Sequence, residues 1–544
     1  MILKKIIGFC LTTLTAVLAP LSGAEAFSLR PISTYNPMLG EGASEISSYD
    51  PISKRLFLTN AQSNSIDFLN LGDPSNPQLI KQVNISRYGS DLNYVATKNG
   101  ILAAALDGLD AQSPGSVVLF DTAGNFLRQL AVGARPDMLA FTPDGRKLVV
   151  ANEGRASDDY RVDPEGSISI IDLLAGVDNA ATTTANFKAF KRDQLDSSVR
   201  IFGPGASVAQ DLEPENIVVS PDGTQAYVTL QENNAIATVD LNTQSITSIF
   251  GLGFKDFSKT GLDTSDRDDA VNIRTYENLF GLYLPDGIAT YEANGETYIV
   301  TANEGDARVF PEDDTDTLEE GETFNEEARV KDLQLDPRAF GEGTGEDDVL
   351  GRLKVTSTLG DANGDGLYEK LYAFGGRSFS IYDSQGNQVF DSGSDFERII
   401  AKQAPELFNV DIEAENGVEI ERAVDGRSDD KGPEPEGVSV GKIGDRTYAF
   451  ISLERSNGIF TYDITNPAEA RFVNFSPVAT GDISPEGNLF ISAEESPTGQ
   501  SLLVLSNEIS GTTTIYQIDP TPVPEPLATA GLLVSAGILV RTRR

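Results

Sequence analysis

The sharpest candidate for chemistry is the run DANGDGLYE at 361–369. Asp361, Asn363, Asp365 and Glu369 offer side-chain oxygens at positions 1, 3, 5 and 9. Gly366 stands at position 6, and the Leu367 carbonyl falls at the seventh-position ligand of a Ca²⁺ loop. Position 12 is Tyr372 rather than Glu, so a helix-loop-helix site is not expected. A short Ca²⁺ loop between strands is the functional expectation, and a plain Asp/Asn/Gly turn is the alternative.

A second set of oxygens recurs along the chain. Acids open short apolar runs at Glu45, Asp91, Asp137, Glu215, Asp286, Glu436 and Glu486, and polar groups close them at Glu153, Glu232, Glu304, Glu454 and Glu508. If these ends meet on one face, the carboxylates repel unless a cation or hydrogen bonds offset them. Glu215, Asp286 and Glu436 are therefore candidate metal ligands; the alternative is that each acid caps its own turn. Glu304, Asp306, Arg308 and Arg377 are candidate catalytic groups. Metal plus guanidinium could clamp a phosphate monoester, with metal-bound water as nucleophile, whereas surface ion pairing is the plainer reading of the arginines.

Composition narrows the chemistry. The 544 residues contain no His and a single Cys, Cys10. That excludes His-based nucleophile systems and His-ligated metals, and leaves oxygen ligands, which favour Ca²⁺, with Mg²⁺ or another divalent ion as the other candidates. Lys and Arg number 42 against 82 Asp and Glu, for a net charge of −40. A nucleic-acid partner, which needs a basic footprint, is not expected.

The elements that must position these groups are strands. A unit recurs: acid, apolar strand, turn, second strand, polar stop, third strand. It is clearest at 135–154, 213–233, 284–306, 435–464 and 485–508, weaker at 43–71 and 90–108, and degraded at 370–393, where no clear first strand precedes it. Glu45, Asp91 and Asp137 are spaced by 46 residues, which fits four strands with tight turns, as in a propeller blade. The spacing predicts an all-β single closed propeller over 27–519, with eight blades counted from the eight units and seven as the other count. The segment 27–36 is expected to supply the missing outer strand of the last unit and so hide both edges. Insertions at 174–210, 251–283, 306–350 and 394–431 are expected as long loops on or beside the acidic face.

The two ends read as addresses. Residues 1–26 carry Lys4 and Lys5, an apolar run and Ala24-Glu25-Ala26, the pattern of a cleaved secretory signal. Residues 520–544 run through Val523-Pro524-Glu525-Pro526, an apolar stretch and Arg541-Thr542-Arg543-Arg544. This end resembles the PEP-CTERM sorting signal of Gram-negative and cyanobacterial surface proteins. The resemblance implies an exosortase-type processing protease as partner. The apolar stretch of 14 residues reaches only ~21 Å, short of a ~30 Å hydrocarbon core, which suits transient membrane insertion.

The body resembles the choice-of-anchor I family of secreted β-propellers. The phrases that carry the resemblance are TANEGDARVF (301–310), FNEEARVKDL (324–333), EKLYAFGGRSFSIYDS (369–384) and GPEPEGV (432–438). It implies a secreted protein with variable anchoring, and some cyanobacterial members of the family have been described as atypical alkaline phosphatases; with the two terminal addresses, the expected location is the periplasm, outer surface or extracellular matrix after C-terminal processing. The expected function is an exported acidic propeller that binds Ca²⁺ and an extracellular polysaccharide or protein; the alternative is a metal-dependent extracellular phosphoesterase.

Overall fold

The computed structural model describes residues 27–310 and 324–520. The expected signal segment 1–26, most of the acidic stretch after Phe310 and the expected sorting signal beyond residue 520 lie outside the described residues. The chain is all-β, with helices of more than one turn confined, among the described residues, to Asp395–Gln403.

Seven four-stranded antiparallel sheets follow one another along the chain. Their first strands begin at Ser47, Leu92, Pro136, Ile217, Ile288, Pro435 and Pro485. The inner strands are continuous apolar runs, such as Arg55–Asn60, Ile101–Leu106 and Lys147–Asn152, buried along nearly their whole length. Outer strands such as Gln78–Asn84 are polar and exposed. The pattern follows from packing, because a strand with a neighbouring sheet on each face has no side to give to water.

Apolar clusters join each sheet to the next. Phe57 and Phe68 of the first meet Leu102 and Phe120 of the second, and Leu119 of the second meets Val150 of the third. The series continues through the third to the seventh sheets. A last cluster joins Leu503-flanking Leu502 and Val504 of the seventh sheet to Leu56 and Leu58 of the first.

The last sheet takes its outer strand from the far end of the chain. Phe27–Tyr35 pairs antiparallel with Thr512–Pro520, with Leu29 opposite Ile518. The Phe27 ring meets Tyr448 edge-on at 4.9 Å, which ties this strand to the sixth sheet as well.

The eight units of the sequence give seven four-stranded sheets because two units are halves of one. Ile288–Ala293 and Glu296–Asn303 pair with Ser378–Asp383 and Gln388–Asp391. The unit at 370–393 lacks a first strand because its sheet already began at Ile288. The intervening residues, with part of the 251–283 insertion, build a five-stranded side sheet in the spatial order Phe254–Asp256, Leu279–Leu282, Leu371–Ala373, Lys354–Thr356, Glu327–Arg329. The insertion at 394–431 forms the helix and a hairpin, Asp411–Glu415 with Val418–Ala423. The insertion at 174–210, expected as a loop, contains a regular outer strand, Ala181–Asn186, whose polar Thr-rich sequence forms no apolar run.

Leu29 is 9% exposed within the cluster of Phe27, Tyr516 and Ile518. Leu29→Ala is expected to cost about 3 kcal/mol, as typical buried Leu truncations do, read as a lowered denaturation midpoint with an unchanged slope.

Candidate functional site

One cavity of about 230 Å³ is lined by residues entering all seven sheets. Glu45, Asp137, Asp286, Glu436 and Glu486 line it, with Asn93 and Asn216 between them. A side cavity of about 180 Å³ shares Asp137 and Asp286 with it and adds Glu215, Glu153, Glu232, Asp306, Arg135, Arg155 and Arg308. Acids from six sheets thus converge, although they are spread over more than 440 residues of sequence.

The backbone explains the convergence. Arg135, Leu284, Glu434 and Ser484 each precede a Pro-acid pair with a left-handed φ between 45° and 64°. Such residues cost free energy that the surrounding packing must offset. Each turn delivers the next acid to the cavity. The Gly that follows in three sheets is required by crowding. A Cβ at Gly287 would stand 2.3 Å from the Glu436 carbonyl oxygen, one at Gly437 2.2 Å from that of Glu486, and one at Gly487 2.1 Å from that of Glu45. Pro-acid-Gly is therefore strand-entry packing here. The Pro-Asp-Gly runs at 143–145 and 221–223 are hairpin turns instead, where Asp144 and Asp222 accept backbone N–H bonds from Arg146 and Thr224.

One opening acid is placed two residues off. The exit residues Glu153, Glu454 and Glu508 donate their N–H groups to Arg135, Glu434 and Ser484, each two residues before the acid; Asp107 donates to Asp91. The cavity position of the second sheet is thus Asn93, and Asp91 is exposed. Asn93 donates to Asp107 Oδ1 at 2.9 Å and to the Pro136 carbonyl at 3.0 Å. Asp107 belongs with the exit groups and was missed because no Glu or Asn marks it in the pattern of the other units.

Burial raises the acids. It pushes Asp137 up to about 8, helped by Glu153 and opposed by Arg135, and Glu45 up to about 7, helped by Glu508 and Glu41. Asp286 rises less, to about 6, because hydrogen bonds with Glu436 and Asn216 oppose burial. Glu215, Glu436 and Glu486 rise well above the ordinary range, again by burial and then by neighbouring carboxylates. Each of these three has an Oε2 that is buried without a hydrogen-bond partner. The Tyr94 hydroxyl is raised by burial and by Asp137, Asp286 and Glu486, which puts it among acids of three other sheets.

The rim beside the fifth and sixth sheets carries its own cations. Lys431 Nζ lies 2.6 Å from Glu304, 3.5 Å from Glu434 and 3.7 Å from Asp306. Glu304 also accepts from Gln231 Nε2 at 2.8 Å. Burial pushes Glu304 up to about 8 against the pull of Lys431. Burial acts on Glu434 too, but Lys431, Arg427 and Arg455 outweigh it and hold that carboxyl down at about 2.

The arginines singled out in the sequence are spent internally. Arg308 is buried, with Nη1 2.5 Å from Asp211, Nη2 on Glu213 and its guanidinium over the Phe202 ring. Arg377 gives Nη1 to the Asp263 carbonyl and Glu397, and Nη2 to the carbonyls of Ser428 and Asp430, all within 2.8 Å. It straps two insertions to the fifth sheet and lies outside both cavities. The structure brings Glu304, Asp306 and Lys431 together; it does not bring Arg377 to them.

Among the described residues, two groups of three carboxylates place one oxygen each within 4.8 Å of the others: Glu304, Glu434 and Glu454, and Asp361, Asp365 and Glu369. Glu215, Asp286 and Glu436 do not form such a group. The loop 361–369 lies between the side-sheet strands Lys354–Thr356 and Leu371–Ala373. Asp361 accepts backbone N–H bonds from Gly364, Asp365 and Gly366 at 2.8–3.2 Å. Asn363 Nδ2 donates to Glu369 at 2.6 Å. The carboxylate oxygens keep further lone pairs, so the donor set fits a hard oxygen-seeking cation.

A family model for the choice-of-anchor I domain matches residues 45–467. Gigasin-3a of Magallana gigas is 33% identical over 199 residues, which cover 33% of this chain and 69% of that protein. The mesenchyme-specific cell surface glycoprotein of Strongylocentrotus purpuratus is 28% identical over 343 residues, covering 59% of this chain and 42% of that one. Among solved structures, hydrazine synthase of Kuenenia stuttgartiensis aligns with a TM-score of 0.46 at 11% identity, covering 88% of this chain and 97% of that one. The Cps50 (Swd1) β-propeller domain of Myceliophteria thermophila aligns with a TM-score of 0.43 at 8% identity, covering 90% and 99%. No helix of the described residues is long and apolar enough to cross a membrane.

Two predictions follow from the crowded acids. Gly487→Ala drives a Cβ into the Glu45 carbonyl, and backbone cannot yield as a flexible side chain can; a loss of about 2 kcal/mol or more is expected by denaturant unfolding. In chelator, the melting temperature should fall as pH rises from about 5 to about 8. Unfolded acids ionise near 4, whereas the buried ones hold their protons to about 6–8, so the native state binds more protons across that window and loses stability through it. Calorimetry across the window reads the slope; a rising melting temperature contradicts it.

Proposed function

The chain belongs to the choice-of-anchor I domain family, and from that premise we propose that it is an exported, surface- or matrix-associated acidic module. Its seven sheets act as one closed β-propeller, and it binds Ca²⁺ in the 361–369 loop while its acidic rim meets a polymer or protein outside the cell. Closure is supported by the apolar cluster between the seventh and first sheets and by the pairing of Phe27–Tyr35 with Thr512–Pro520. Location outside the cell is supported by the two terminal addresses in the sequence and by a sea-urchin relative whose name places it at a cell surface.

The observation that carries the metal reading is the group Asp361, Asp365 and Glu369, whose oxygens gather within 4.8 Å in a loop whose sequence also puts Asn363 and the Leu367 carbonyl at ligand positions. Ca²⁺ suits it better than Mg²⁺ because five oxygens on a partly exposed loop match a large, flexible coordination shell. Phosphoester cleavage is not favoured by this geometry. It needs guanidinium donors turned toward one acidic cavity, and Arg308 and Arg377 give theirs to Asp211, Glu213, Glu397 and backbone carbonyls.

An ion at 100 times its dissociation constant adds about 2.7 kcal/mol to the native state. Ca²⁺ is therefore expected to raise the melting temperature of chelator-treated protein, and Asp365→Ala to abolish the rise without lowering the metal-free melting temperature by more than about 2 °C. An identical Ca²⁺ response in wild type and Asp365→Ala would place the ion elsewhere.

A further inference from the structure

The central cavity is lined by the carboxyl groups of Glu45, Asp137, Asp286, Glu436 and Glu486 and by no Lys or Arg, whereas the side cavity also carries Arg135, Arg155 and Arg308, of which Arg135 is held by Glu153 and Arg308 by Asp211 and Glu213. Glu215 is 9% exposed and its Oε2, in the side cavity, has no donor. Glu436 and Glu486 each present a buried, partnerless Oε2 in the central one. A buried carboxyl oxygen without a donor costs free energy that a ligand can recover. These oxygens do not gather as chelating ligands do: neither group of three carboxylates within 4.8 Å includes any of the three. Apolar walls stand between them, from Ile46, Met138, Ile288 and Val438, with the Tyr94 ring.

A ligand complementary to this lining has positive charge at its ends and an apolar stem. The molecule shows the same solution in its own chemistry. On the neighbouring rim the carboxylates of Glu304, Asp306 and Glu434 are offset by a primary ammonium, that of Lys431. An ammonium brings three donors to acceptors on several sides, and its methylene stem covers apolar wall.

We propose that the adjoining central and side cavities, which share Asp137 and Asp286 in their walls, bind a primary alkylammonium group, supplied by a small di- or polyamine or by a lysine side chain of a partner. Glu436 and Glu486 receive one end in the central cavity, Glu215 receives the other in the side cavity, and Asp137 and Asp286 stand at the junction. This site is separate from the 361–369 loop, so it holds whether or not that loop takes Ca²⁺.

The test is titration calorimetry on the whole folded protein in chelator, with 1,4-diaminobutane, with a short lysine-containing peptide, with 1,4-butanediol as the uncharged isostere, and separately with Ca²⁺ in place of chelator. The expected result is saturable binding of the diamine or the peptide, at least tenfold weaker in 0.5 M salt (roughly the regime where exposed charges are screened), and none of the diol. The diamine alone binding identifies a small amine as the source; the peptide binding as tightly identifies a lysine side chain. Glu486→Gln and Glu215→Gln should each weaken binding at least tenfold with an unchanged circular dichroism spectrum. If either variant fails to fold, the diol comparison and the salt dependence in wild type decide. Equal binding of diol and diamine, absence of binding by both amines, or competition in which Ca²⁺ displaces the amine at equal concentration would overturn the proposal.

Discussion

Everything in this protein depends on one electrostatic liability: carboxyl groups from six sheets are driven into a common space at the strand entries. Apolar packing between the sheets does the driving. Each sheet buries both faces against its neighbours, and the same close approach that excludes water from Leu58, Val150 or Ile451 brings the strand ends into backbone contact. Glycine at 287, 437 and 487 is the local consequence. The left-handed residues before Pro136, Pro285, Pro435 and Pro485 are another, since a relaxed backbone there would aim the acids elsewhere.

The molecule offsets that charge unevenly. At the fifth and sixth sheets Lys431, Arg427 and Arg455 stand among Glu304, Glu434 and Glu454. At the third, Arg135 lies 2.5 Å from Glu153. The second sheet avoids the problem with Asn93, which is neutral and donates. Lys431 reaches the rim because Arg377 grips the carbonyls of Ser428 and Asp430 just before it. Arg377, outside both cavities, thus fixes the backbone that carries the rim's cation.

Much of the architecture was legible in the sequence because strand periodicity is local. The runs LVVAN at 148–152 and YAFIS at 448–452 announce buried inner strands, and Pro143-Asp144-Gly145 announces a hairpin turn. Sheet membership was less so. Whether Ser378–Asp383 starts a new sheet or completes an old one depends on its pairing with Glu296–Asn303, across more than 70 residues. The even spacing of Glu45, Asp91 and Asp137 was a coincidence of acids at two different register positions. Only the Asp107 N–H bond to Asp91 separates the opening acid from the residue two before it. The fate of Arg308 was equally closed to reading, because its partners Asp211 and Glu213 lie at the entry to the fourth sheet, about 95 residues upstream.

The least compensated arc lies where the seventh sheet meets the first. Burial raises Glu45, Glu486 and Glu508 there; Glu508 adds to the rise of Glu45, both add to that of Glu486, and Glu454 and Glu41 raise Glu508 against the pull of Arg455 from the sixth sheet. This is also the arc where the two ends of the chain are sewn together by strand pairing and by the cluster of Leu56, Leu58, Leu502 and Val504. Like charges facing across that seam act to open it, while the apolar cluster and the Phe27–Tyr35 strand act to hold it shut. Burial raises the pKa of all three acids, which lessens the charge acting to separate the seam. The join between first and last sheets and the acidic field thus share one place: of the acids at the seam, Glu486 keeps a buried Oε2 with no donor, the oxygen there with most to gain from a cation.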